Sequence, residues 1–68
     1  MAPVQEENLK AIFGLKLRQY REAKKFSTQD LAAKAGVSAS YINEIEKGKK
    51  YPKADKIMSL ATALDVDY

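Results

Sequence analysis

The sequence predicts an all-α fold of four to five short helices. Apolar residues recur at three- and four-residue spacing through several successive segments, which is the helical period. No segment alternates with period two, so no strand is expected. Ser27, Gly36, Ser38, Gly48 and Pro52 punctuate the periodic segments with the caps and breaks that helix ends require.

Leu9, Phe13, Leu17 and Tyr20 lie at helical spacing and Ile12 widens their stripe, so a first helix is expected from about Glu6 to Lys24. Phe13 and Tyr20 are assigned to the core, as is Phe26 in the following loop. Gly14 within this helix costs roughly 0.5–1 kcal/mol relative to alanine, which implies close packing there or a break just before it.

Ser27 is the N-cap of a second helix, and Asp30, three residues on, completes a capping box with aspartate in the glutamate place. That helix runs to Ala35, and Gly36 supplies a turn. Val37 re-enters the core, and Ser38 caps a third helix over about Ala39–Lys47 that stops at Gly48. A basic loop, Lys49–Lys53, contains Pro52. Beyond it Ala54, Ile57, Leu60, Ala61 and Leu64, with Met58 beside them, mark a fourth amphipathic helix. Residues 1–11 read as an N-terminal extension, either the start of the first helix or disordered, ahead of a domain over residues 12–68. The closing DVDY reads as the lead into further chain, with Val66 buried only if more chain or a partner covers it.

A chain of 68 residues makes one domain near the lower size limit for a lone hydrophobic core. It contains no cysteine and no histidine, which removes thiolate metal sites, disulfides and the commonest general base. Neither catalysis nor a bound cofactor or metal is expected. The N-terminal MAPVQEENLK carries acids where a signal peptide needs a basic start, and no apolar stretch reaches membrane-spanning length, so the expected location is cytoplasmic. The formal charge of +3 is modest, but Lys47, Lys49, Lys50, Lys53 and Lys56 crowd one segment against Asp55 alone. Lys16, Arg18, Arg21, Lys24 and Lys25 form a second basic cluster. Either cluster by itself is also what an ordinary solvated face looks like.

The third helix carries a face that packing does not explain. At about 100° per residue, Ile42, Ile45 and Ser38 share one side, while Ser40, Asn43, Glu44 and Lys47 gather opposite, with Ala39 and Tyr41 at the margins. A helix of about nine residues is roughly 13 Å long, and its short-chain outer face would fit a DNA major groove about 12 Å wide. Two charges break the sorting: Glu46 follows Ile42 by one turn on the inward stripe, and Arg21 follows Leu17 in the same way. A buried charge needs a partner, so an Arg21–Glu46 salt bridge is expected, unless both are surface residues at helix ends.

Leu31, Ala32, Ala35, Gly36, Val37, Ile42 and Ile45 stand in the order and spacing of the phage-repressor type of helix-turn-helix, the lambda-repressor-like or xenobiotic-response-element family. The following IEKGKKYPKADKIMSLATAL resembles that family's I-E-x-G-x-x-x-P loop and fourth helix. The resemblance covers about Ile12 to Val66, with the two-helix unit at about 28–47. It implies sequence-specific binding of double-stranded DNA by a transcriptional regulator or its DNA-binding domain, usually a homodimer, with helix 39–47 in the major groove. Ala39, Ser40, Asn43 and Glu44 then face bases, and Thr28, Gln29, Ser38, Tyr41, Lys47, Lys49 and Lys50 face phosphates. The Arg21 and Glu46 positions resemble a pair that family members use structurally.

This sequence departs from the family pattern at several places. Lys25 and Asp65 stand where glycine is common after a helix, Lys53 replaces a serine-like cap, and the fifth, dimer-forming helix is absent or cut short. The alternative function is a protein-interaction module of the same fold, of the antitoxin or coactivator kind, with DNA contact secondary. A protein partner or effector domain outside this chain fits either function. An enzyme with an appended helix-turn-helix would need its catalytic groups elsewhere, since Glu44 and Glu46 are two apart on a helix and point in different directions.

Overall fold

The computed structural model describes residues 6–66 as four helices, α1 (Glu6–Ala23), α2 (Thr28–Ala35), α3 (Ala39–Glu46) and α4 (Ala54–Leu64). Among the described residues there is no strand and no fifth helix. Residues 6–11 of the expected extension belong to α1, whereas residues 1–5, and Asp67 and Tyr68 of the closing DVDY, lie outside the described residues.

All four helices end in the same way. The chain turns through a left-handed residue, Lys25, Gly36, Gly48 or Asp65, with φ of 61°, 72°, 75° and 57°. The next N–H then reaches back five residues: Phe26 to Arg21, Val37 to Ala32, Lys49 to Glu44 and Val66 to Ala61, at 2.9–3.1 Å. This pairing satisfies carbonyls that the helix leaves open, and an apolar residue in the last place normally folds back onto the helix. Phe26, Val37 and Val66 do so and pack against the core. Val66 is therefore half-buried by this chain's own core, without the covering segment expected for it. At the end of α3 the corresponding residue is Lys49, which stands exposed.

The starts of the helices are less uniform. Ser27 and Asp30 form the full capping box, the Ser27 hydroxyl accepting from the Asp30 N–H at 3.0 Å and the Asp30 carboxylate from the Ser27 N–H at 2.9 Å. Ser38 accepts from the Tyr41 N–H at 3.0 Å, while Lys53 caps α4 without a side-chain bond. Hydrogen bonding from the Ser27 backbone, and then from its hydroxyl, holds the Asp30 carboxyl below the usual aspartate range. A depressed folded-state pKa stabilises the fold above the unfolded pKa and is lost as pH falls through the folded one. Asp30→Asn keeps an acceptor but cannot titrate, so it is expected to flatten the loss of thermal stability on acidification below the ordinary aspartate range. An unchanged acid limb in melting curves would contradict this.

The core is built from Leu17, Leu31, Ala32, Ile42, Ile45, Leu60 and Leu64, with Leu31, Ile42 and Ile45 fully shielded from solvent. Each large apolar side chain so buried contributes about 1.5–3 kcal/mol. α1 packs on α3, and α2 packs on both α3 and α4. Gly14 lets α1 approach: a Cβ there would run into the Ile45 carbonyl oxygen and lie 3.1 Å from that of Glu46. The helix continues unbroken through it, so close packing is the reason for the glycine.

That approach also decides which face of α1 turns inward. Gly14 and Leu17 are buried and Arg21 half-buried, while Leu9, Ile12 and Tyr20 are 47%, 54% and 48% exposed. The expectation of a core stripe through Leu9 and Tyr20 is thus corrected. α1 carries more apolar residues than one face can bury, and its period alone does not say which stripe meets α3. Phe13 remains half-buried and meets the Tyr51 ring edge-on, with centroids 5.1 Å apart. Tyr20 instead rims a groove of about 240 Å³ between α1 and α4, floored by Leu17, Leu60 and Leu64.

Candidate nucleic-acid interface

α3 has two unlike sides. Ile42 and Ile45 are fully buried on one, and Ser40, Asn43, Glu44 and Lys47 are exposed on the other. Ala39, expected to face bases with them, is half-buried and packs against the core cluster, so it offers only part of its methyl surface. The reason is position: the first residue of α3 still lies close to the Val37 re-entry into the core.

The residues expected to meet phosphates flank this row. Thr28 donates to the Gln29 side-chain oxygen at 3.3 Å, which leaves the exposed Gln29 amide nitrogen as a donor. The Ser38 hydroxyl accepts from the Tyr41 N–H and keeps its own O–H to donate outward. Lys47 and Lys49 are exposed. Lys50 is half-buried: its ammonium lies 5.1 Å from the Tyr41 ring centroid and 3.9 Å from the Glu44 carboxylate. Burial of Tyr41 raises its phenol pKa, the Asp55 charge adds to the effect, and the Lys53 backbone amide opposes it. Tyr41, Lys50, Tyr51, Lys53 and Lys56 together line an open depression of about 370 Å³. Lys53 and Lys56 belong to the basic run of the sequence, but nothing in the sequence signals that Tyr51 joins them beside Tyr41.

Arg21 and Glu46 lock this unit to α1. Arg21 Nε donates to Glu46 Oε2 at 2.7 Å and Nη2 to Oε1 at 3.0 Å, with side chains only 13% and 9% exposed. The bond to Glu46 raises the arginine pKa further, against the smaller opposing effect of burial. A contact not legible in the sequence is Arg21 Nη1 donating to the Phe26 carbonyl at 2.8 Å, which also fixes the loop ahead of α2. The second basic cluster does not form one patch. Arg18 pairs with Glu22 at 3.3 Å, Arg21 with Glu46, and Lys16 lines the α1–α4 groove.

Among the described residues no group of three or more acidic, histidine or cysteine side chains could hold a metal ion. No helix there is long and apolar enough to cross a membrane.

The helix-turn-helix family model matches residues 17–68. The transcriptional repressor RghR of Bacillus subtilis (strain 168) is 46% identical over 57 residues, 82% of this chain and 42% of that protein. Among solved structures, the restriction-modification controller protein C.AhdI from Aeromonas hydrophila superposes with a TM-score of 0.83 at 38% identity, covering 85% of this chain and 88% of its own. The clp gene regulator ClgR from C. glutamicum gives 0.82 at 30% identity, with 87% and 77% covered. This chain spans less than half the length of RghR. It belongs to the lambda-repressor-like helix-turn-helix family of DNA-binding transcriptional regulators.

Proposed function

We propose that this chain binds specific sites on double-stranded DNA by seating α3 in the major groove, as a transcriptional regulator or the DNA-binding part of one. The two-sided character of α3 carries the reading. Two fully buried isoleucines hold the helix down while Ser40, Asn43 and Glu44 stand exposed with short side chains. Such a face reaches base edges, whereas a face of long lysines would hold the helix off. Asn43 is suited to a bidentate contact with adenine and Ser40 to several bases, with the exposed part of Ala39 against a thymine methyl.

Phosphate contacts would set the register around that face. The N-terminus of α2, with Thr28 and Gln29, and the Ser38 hydroxyl serve one strand, and helix N-termini favour anions. Lys47 and Lys49 serve the other side, Lys49 being aimed outward by the turn that ends α3. A homodimer on an inverted repeat, with half-sites about one helical turn apart, is the assembly that goes with this reading. Tyr20 at the rim of the α1–α4 groove, and exposed Ile12 and Leu15 elsewhere on α1, supply apolar surface for pairing.

Asn43→Ala tests base reading. It is expected to lower affinity for the selected site by about 1–3 kcal/mol and to leave affinity for unrelated duplex nearly unchanged. Competition titrations against both duplexes measure the two values side by side. Equal losses on both would remove Asn43 from base readout.

A further inference from the structure

Lys50 stands apart from the other lysines of its run. The Lys49 N–H reaches the Glu44 carbonyl at 2.9 Å, which folds the chain back along α3 and sets the next residue beside Glu44. Lys50 then has two anchors on that helix, the Tyr41 ring and the Glu44 carboxylate. The ammonium so placed stands beside the Glu44 carboxylate while keeping its outer side open to a further acceptor. Glu44, meanwhile, is an exposed acid in the row that faces bases, where an uncompensated carboxylate entering between two phosphate strands would be repelled.

We propose that Glu44 and Lys50 act as one reading unit for a C·G base pair, with Lys50 as the built-in counter-ion that admits the carboxylate to the groove. This rests on the DNA-binding reading above and replaces, for Lys50, the role of a plain phosphate contact. The pair presents an acceptor and a donor 3.9 Å apart. A C·G pair offers the complement in its major groove: the cytosine N4 amino group for the carboxylate, and adjacent guanine O6 and N7 acceptors for the ammonium. An A·T pair places its amino group between two acceptors and adds the thymine methyl, so the ammonium would meet one acceptor only. The Tyr41 ring, 5.1 Å from the ammonium, and the Glu44 carboxylate place Lys50 at the margin of α3 beside Glu44.

The test is site selection from a randomised duplex pool with the native chain, followed by titration of the selected site against a duplex with that C·G pair changed to A·T. The native chain is expected to enrich C·G at one fixed half-site position and to bind that site about tenfold better than the A·T version. Glu44→Gln reduces this preference, because the amide keeps one acceptor for cytosine N4 but adds a donor that the acceptors of an A·T pair can also take. Lys50→Met abolishes the preference and also weakens binding to every sequence, because Glu44 is left uncompensated. Adding Glu44→Gln to Lys50→Met then restores most of the general affinity. Both side chains are about half exposed, so melting temperatures are expected to stay near native. If Lys50→Met weakens binding by the same factor with Glu or Gln at position 44, or if the native site has no fixed C·G pair, the reading unit is refuted while DNA binding stands. Absence of duplex binding at low salt would overturn both.

Discussion

Glu46→Ala is expected to destabilise the domain by about 3–5 kcal/mol, because it leaves the Arg21 guanidinium, largely buried against α3, with no carboxylate. A 68-residue domain has roughly 3–10 kcal/mol in all, so this single change removes much of the stability. At roughly 4–8 °C for each kcal/mol in a domain of this size, the melting temperature should fall by more than about 10 °C. Arg21→Met combined with Glu46→Leu removes both charges and should recover most of the loss, since a buried pair is worth little over apolar side chains of similar volume. The double variant still lacks the donor to the Phe26 carbonyl, so recovery is not complete. Urea titration of Arg21→Met, Glu46→Leu and their combination gives the coupling directly. A loss below about 1 kcal/mol for Glu46→Ala would mean that solvent already screens the pair.

Gly14→Ala should cost about 1–3 kcal/mol despite the better helix propensity of alanine, which by itself would gain about 0.8–1.0 kcal/mol. The added methyl meets backbone carbonyls of Ile45 and Glu46, which cannot swing aside as a side-chain end could. Relief requires α1 to lift off the end of α3, which also strains the Arg21–Glu46 pair. Gly36→Ala is the comparison. A Cβ there meets nothing within 4 Å, so only the left-handed backbone, at φ 72°, disfavours it, by about 1–2 kcal/mol. The two variants therefore separate steric closeness from backbone conformation. A Gly14→Ala chain as stable as the native one would show that α1 and α3 do not need this approach.

The unit from α2 to α4 was legible because its signals are local and chemically narrow. Ser27 with Asp30, and Ser38, are caps that act within three residues, and Gly36 and Gly48 mark the left-handed turns that they occupy. Ile42 and Ile45 fixed the inward side of α3, and with it the exposed row of Ser40, Asn43 and Glu44. The Arg21–Glu46 pair could be anticipated because each charge interrupts an apolar stripe one turn after a buried residue.

What was not legible depends on tertiary contact. At Lys25 and Asp65, where glycine is common after a helix, the sequence left open a left-handed turn or a different helix end, and both residues adopt the left-handed turn with the same backfolding bond that the glycine turns use. The orientation of α1 follows from the approach at Gly14, which leaves Leu9 and Tyr20 outward. In the basic loop, the family resemblance gave Lys49 and Lys50 the same role. Only the fold shows one exposed and the other held between Tyr41 and Glu44.

Selection of duplex sites by the native chain at physiological salt, with bulk pool binding recorded at two salt concentrations, tests the central claim most directly. Enrichment of a defined sequence, together with bulk binding that weakens steeply as salt rises, is the result expected of a helix reading bases between phosphate contacts. No binding even at low salt would contradict the placement of α3 in the groove and would turn attention to the exposed apolar residues of α1 as a surface for a protein partner.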